Sequence, residues 1–288
     1  RYVDALDAFQ VHGVVVYALS NDTTYTDADF QAGMPQVFPQ LEEAWITATN
    51  VDVMGPHGGD QTYTRVSAPC GQTGPYCLAA DGHSVTGPTW GEGALVYTTY
   101  HTGGGTSFVA PMISGAIALL AEAFPTSPPS VWRDRLLATA DNSFFTHTGV
   151  TTFGNGYQHG YNLEFGHGIF DIWKALQPIT TSGQTRVFVG KSVDSHYYPL
   201  SASSISTSRS FGDSVYKGLK GLSGYTYDDF GGGFRYQFAN HVTMAPNDVA
   251  AIEISSELSK LSDTISDTSP SNWKLNFNQV VANFAPSE

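Results

Sequence analysis

Residues 103 to 115 read GGGTSFVAPMISG. Three glycines run into Thr106 and Ser107, and an apolar stretch containing Pro111 and Gly115 follows. A serine at the start of a helix sits where the first-turn N–H groups have no intrahelical partner and the helix dipole favours negative charge. Glycines just before it let another backbone approach closely. Pro111 reads as part of the first turn, where a missing N–H costs little. These features suit a nucleophile that also helps to hold an oxyanion. They suit equally a plain Ser or Thr N-cap after a glycine hinge, so the stretch alone leaves both open.

The elements around it must position that serine. From Ser107 onward the apolar residues Val109, Ile113, Ile117, Leu120 and Phe124 recur at three- and four-residue steps, which predicts a helix up to Pro125. Ala116, Ala118, Ala121 and Ala123 keep it slim, as expected of a central buried helix. A second helix is expected from Ser127-Pro128-Pro129, with Ser127 as cap, to about Ala140. Upstream, residues 1–12 form the end of an amphipathic helix with Val3, Leu6 and Phe9 on one face, closed by Gly13. VVVYA (14–18) then reads as a buried parallel strand that stops at the turn Leu19-Ser20-Asn21-Asp22. WITATNV (45–51) is a second strand, 55–93 reads as loops with short strands, and FGHGIFDIWKAL (165–176) as a short strand or turn and a helix. This succession predicts an α/β three-layer fold with a largely parallel sheet over residues 1–177. A β-rich linker follows over 178–245, in which the apolar–polar alternation of residues 185–236 predicts antiparallel strands. Residues 246–288 read as a helical or flexible linker whose apolar stripe runs through Val249, Ile252, Leu258, Leu261 and Ile265.

Composition narrows the partners. At 41% hydrophobic residues over 288 positions the chain can bury a core, and no unbroken run of about 18 apolar residues marks a membrane-spanning helix. Acidic residues outnumber basic ones 26 to 13, a net charge of −13, which argues against nucleic acid or anionic membrane as a partner. Cys70 and Cys77, the only two cysteines, are either a disulfide or two buried thiols. The disulfide is the reading taken here, and with it an oxidising compartment. A zinc site lacks its second ligand pair. The acidic pairs Asp27/Asp29 and Asp228/Asp229 read as solvated turns. The nucleophile elbow G-x-S-x-G of lipases and esterases is absent, because Val109 stands two residues after Ser107.

GTSFVAPMISG resembles the serine signature of the subtilases, the subtilisin-like serine proteases. Gly105, Thr106, Ser107, Pro111 and Gly115 all match, and the resemblance implies that Ser107 is the catalytic nucleophile. VVVYALSND resembles the strand that ends in the family's oxyanion-hole asparagine, which implies that role for Asn21; here Ser20 replaces the usual preceding glycine. A side-chain amide in that place is worth about 10²–10³-fold in kcat, a magnitude known from subtilisin itself. FGHGIFDIWKAL resembles the family's segment after the serine helix. The resemblance covers roughly residues 1–177 and implies a protein or peptide substrate. The residues identify no cofactor; calcium is frequent in the family that the chain resembles, but no ligand residues are identified for it.

The CGQTGPYCLAADG loop, the GGGTSF lead-in and the Ser-rich tail resemble the autotransporter subgroup. There a secreted protease precedes an outer-membrane β-barrel, and membrane contact is expected only through such a barrel, which too few residues follow the tail to build. The catalytic Asp and His belong to D-[ST]-G and H-G-T-H motifs, and neither occurs here. His12, His57 and His101 lie outside the family context. The expectation is a C-terminal part of the catalytic domain plus linker, with the Asp and His upstream of Arg1, inactive by itself. The alternative is a non-catalytic, surface-binding module on the same fold.

Overall fold

The computed structural model describes residues 1–56, 59–89, 99–154, 156–180, 184–189, 192–199, 205–207 and 213–244. In chain order its elements begin with α1 (Tyr2–Gln10), β1 (Val15–Ala18), α2 (Met34–Val37), β2 (Trp45–Met54), β3 (Thr62–Arg65) and β4 (Cys77–Asp81). The hairpin β5 (Val85–Thr89) and β6 (Thr99–Gly103) leads into α3 (Thr106–Ala123) and α4 (Pro129–Ala138). Then come β7 (Gly149–Thr152), β8 (Gln158–Tyr161) and α5 (Ile172–Ala175). The rest is β9 (Gln184–Val189), β10 (Ser192–Pro199), β11 (Ile205–Thr207), α6 (Ser214–Leu219), β12 (Ser223–Tyr227), β13 (Gly233–Gln237) and β14 (Val242–Met244).

β2 organises the first sheet. β1 pairs with it in parallel, Val15 opposite Trp45, and β4 does the same, Thr47 opposite Cys77. β3 joins antiparallel at the far end, Val51 opposite Arg65. Side chains alternate across a strand. Ile46 and Ala48 therefore face Val109, Ile113 and Leu120 of α3 and Leu136 and Leu137 of α4. Trp45 faces the other way, into Leu41, Met34, Tyr76, Val3 and Leu6. Helix, sheet and helix make three layers of an α/β fold. Each large aliphatic side chain buried in them contributes about 1.5–3 kcal/mol.

Several expectations need correction. α3 buries the stripe from Val109 to Phe124, but Ala118 and Ala123 face solvent and Leu119 is 51% exposed. Of the small residues, Ala116 is buried in the core, Ala121 is half-buried and Ala118 and Ala123 lie on the open face. With 18 residues and a mean hydropathy of 1.5, α3 is also long and apolar enough to cross a membrane, although no unbroken apolar run announces it. Its apolar stripe is spent on the core. On α1, Phe9 is exposed and Gln10 is the buried residue. Burial of Gln10 is tolerated because its Nε2 donates to the Leu41 carbonyl and its Oε1 accepts from the Ala44 amide. Ser127 does not cap α4, whose N-cap is Pro128; the Ser127 amide instead donates to the Phe124 carbonyl as α3 ends. Cys70 and Cys77 are joined as a disulfide around the short 3₁₀ turn Gly71–Tyr76. A loop of this size contributes about 2.5 kcal/mol on the loop-entropy relation.

The chain divides into two compact units, Arg1–Ser203 with Ser223–Tyr236, and Ser204–Leu222 with Gln237–Glu288. In the first, β10, β9, β12 and β13 form an antiparallel sheet in that order beyond residue 177. In the second, β11, which falls in the stretch expected to be antiparallel, pairs in parallel with β14, and α6 carries an exposed Asp213–Lys217 ion pair. The stripe from Val249 to Ile265 lies outside the described residues.

Asp228 is not in a solvated turn. Its carboxylate and the Arg135 guanidinium are both 0% exposed, with Nη1 2.6 Å from Oδ2. Arg135 also donates to the carbonyls of Ala175 (3.0 Å) and Gln177 (2.8 Å) and lies over the Phe124 ring. Asp228 accepts in addition from the amides of Ile179, Phe230 and Gly232. Each guanidinium nitrogen and both carboxylate oxygens therefore have a partner, which is what lets the charges be buried.

Candidate functional site

Ser107 is the second residue of α3 and is exposed. Its amide, in the first turn, has no intrahelical acceptor. Asn21 follows β1 and is also exposed. The two meet through Thr106. The Thr106 amide donates to Asn21 Oδ1 at 2.8 Å, and its hydroxyl donates to the Leu19 carbonyl at 2.6 Å while lying 3.1 Å from the same Oδ1. A backbone N–H can only donate, so the Asn21 atom facing it is the oxygen. The Nδ2 amide is left as the donor of that carboxamide, beside the first turn of α3.

Gly105, the N-cap, has φ +148° and ψ 167°, and a Cβ there would lie 2.9 Å from Asn21 Oδ1. Glycine is needed both for the dihedral and for the close approach. Pro111 stands inside α3 at its sixth position, not in the first turn as expected. Having no N–H, it leaves the Ser107 carbonyl without its usual intrahelical donor. Gly115 is exposed, and a Cβ there would stand in open space.

An imidazole base is not gathered here from the described histidines. His101 is exposed on β6, opposite Gly87 of β5, and His12 is exposed after α1. His57 lies outside the described residues. His83 is 3.9 Å from Asp52, beyond hydrogen-bond reach. A second titratable cluster, which the sequence reading did not single out, pairs His159 with His167, their Nδ1 atoms 2.8 Å apart. Their Nε2 atoms face the carbonyls of Ala140 (3.1 Å) and Pro75 (3.0 Å), with the Thr151 hydroxyl 3.1 Å from His167. Burial holds both imidazoles well below their usual pKa.

Calcium finds no assigned site. Asp27 spends Oδ1 on the Ala28 and Gln72 amides and Oδ2 on the Gln72 side chain, and Asp29 Oδ1 accepts from the Ala32 amide. Among the described residues no three of His, Cys, Asp and Glu gather as metal ligands. No calcium ligands are assigned, and no chemistry is routed through the ion.

The site thus combines a largely parallel sheet, a glycine-capped helix with serine in its first turn and an asparagine held beside it, on an α/β fold. The model of the Subtilase family matches residues 2–168, and the chain belongs to that family. Fervidolysin of Fervidobacterium pennivorans is 28% identical over 199 residues, covering 64% of this chain and 25% of that protein. An extracellular serine protease of Serratia marcescens is 29% identical over 132 residues, 40% of this chain and 12% of its own length. Serotype-specific antigen 1 of Mannheimia haemolytica is 29% identical over 165 residues, 57% of this chain and 16% of its own length. The chain thus spans a quarter or less of these curated relatives. The crystal structure of fervidolysin is similar at TM-score 0.43 and 25% identity, covering 64% of this chain and 25% of that one.

Proposed function

We propose that this chain is the nucleophile-bearing part of a subtilisin-type serine endopeptidase. Ser107 Oγ attacks the carbonyl carbon of a peptide bond. Asn21 Nδ2 and the Ser107 amide donate to the oxyanion that forms. An imidazole takes the serine proton and passes it to the leaving amine, and water then releases the acyl group. That imidazole and its orienting carboxylate come from the polypeptide upstream of Arg1, so the chain by itself does not turn over. The observation that carries this reading is the contact of Thr106 with Asn21, which brings an amide donor beside the serine from a turn 85 residues earlier in the chain. The disulfide and the name of the Serratia relative support a secreted protein acting on protein or peptide substrates. The loop and tail residues that resemble the autotransporter subgroup support attachment to an outer membrane through a barrel beyond residue 288.

The test compares the complete gene product with Ser107→Ala and Asn21→Ala on fluorescently labelled casein. Loss of cleavage to background in Ser107→Ala and a fall of about 10²–10³-fold in kcat for Asn21→Ala are expected. Cleavage that survives Ser107→Ala would overturn the proposal.

A further inference from the structure

Asn50 lies in the middle of β2 and is 2% exposed, on the face turned towards α3. A buried carboxamide in a central strand is costly unless its polar atoms are used. Its backbone amide donates to Ser67 Oγ at 2.9 Å, and its carbonyl accepts from Val66 at 3.0 Å. Its Oδ1 accepts from the Gly82 amide at 2.9 Å. The Gly82 carbonyl in turn accepts from the amide of Gly105 at 2.9 Å, the N-cap two residues before Ser107.

The same residue reaches the other half of the site. Ser67 hydrogen-bonds the Thr49 hydroxyl at 3.1 Å, and the amide of Ala68, next in sequence, donates to the carbonyl of Ser20 at 2.8 Å. Ser20 precedes Asn21. One strand residue therefore stands between two short hydrogen-bonded paths, one to the start of the asparagine turn and one to the cap of the serine helix. The packing leaves no slack. A Cβ on Gly82 would lie 2.9 Å from Asn50 Oδ1, 2.9 Å from the Gly105 carbonyl oxygen and 2.6 Å from Val109 on α3, and one on Gly104 would lie 2.1 Å from the His83 carbonyl oxygen.

We infer that Asn50 is a positioning residue for the reaction at Ser107, setting the glycine cap of α3 through Gly82. This rests on the reading of Ser107 as nucleophile. Thr106 couples the two segments directly, through the Asn21 carboxamide and the Leu19 carbonyl, both on the β1 side of the site. On the β4 side the cap is tied by the Gly82–Gly105 bond, and the Gly82 amide is shared between Asn50 Oδ1 at 2.9 Å and the Ala80 carbonyl at 3.1 Å, Asn50 being the side-chain partner. A displacement of about 1 Å at a reacting atom costs about 10²-fold.

The experiment uses Asn50→Ala, which removes the acceptor, and Asn50→Asp, which keeps one at the same place. In the complete gene product, kcat and KM are measured on a p-nitroanilide tetrapeptide beside Ser107→Ala. Asn50→Ala is expected to lower kcat about 10–100-fold with KM within about twofold, and Asn50→Asp to recover most of it. Unchanged kcat in Asn50→Ala, or equal loss in Asn50→Asp, overturns the inference. An inactive wild type, or cleavage that survives Ser107→Ala, instead sinks the proposed function, and the positioning role is then read from amide hydrogen exchange on the 288-residue chain. There the Gly105 amide is expected to exchange at least about tenfold faster in Asn50→Ala while Leu120 and Leu136 are unchanged. Unchanged protection at Gly105, or uniform acceleration throughout, overturns it.

Discussion

Replacing Asp228 with alanine probes whether the strand pair after the family-matched region is part of the folded body. The substitution strands a guanidinium that is 0% exposed and removes the acceptor of three backbone amides. Burial already disfavours the charged form of Arg135, and the nearby Asp228 charge is what opposes that. Breaking one side of such a pair costs about 3–5 kcal/mol. At about 2–4 °C per kcal/mol for a body of this size, the melting temperature should fall by about 6–20 °C. Thermal unfolding followed by circular dichroism reads this directly, and the loss should persist at 1 M salt, where an exposed pair would already be screened. The double variant Arg135→Met, Asp228→Leu should recover much of the loss, because it removes both charges instead of orphaning one. A fall below about 2 °C in Asp228→Ala, or a double variant as unstable as the sum of the two single ones, refutes the reasoning.

Two further outcomes follow from the same structure. His159 and His167 are held by burial at pKa values of about 4 and about 3, below the ordinary value near 6.5. Between those limits the unfolded chain binds protons that the folded chain does not, so stability is full above pH ~6.5 and falls on acidification towards pH ~4. The melting temperature should drop between pH 7 and pH 5, and His159→Gln should flatten that slope; a slope unchanged by the substitution rules out the pair as its source. Gly105→Ala places a Cβ 2.9 Å from Asn21 Oδ1 at φ +148°, and should lower turnover of the complete gene product more than tenfold. Wild-type turnover in that variant would show that the close approach is not needed.

The apolar periodicity from Val109 to Phe124 located α3, and the β-branched runs located β1 and β2, because burial demands a repeating apolar face that a linear sequence displays. The glycines before Thr106 and the serine that follows were legible for the same local reason, since capping and close approach depend on neighbours in the chain. Polar residues carry no such mark. Asp228 reads as half of an acidic turn, yet its guanidinium partner lies 93 residues away. Asn21 stands out only by its resemblance to a family strand, and what orients its amide is a donor 85 residues on. Asn50 and the His159–His167 pair have no signature at all. A buried polar group is stabilised by whichever donor or acceptor the fold brings within 3 Å, and that is decided when the layers pack.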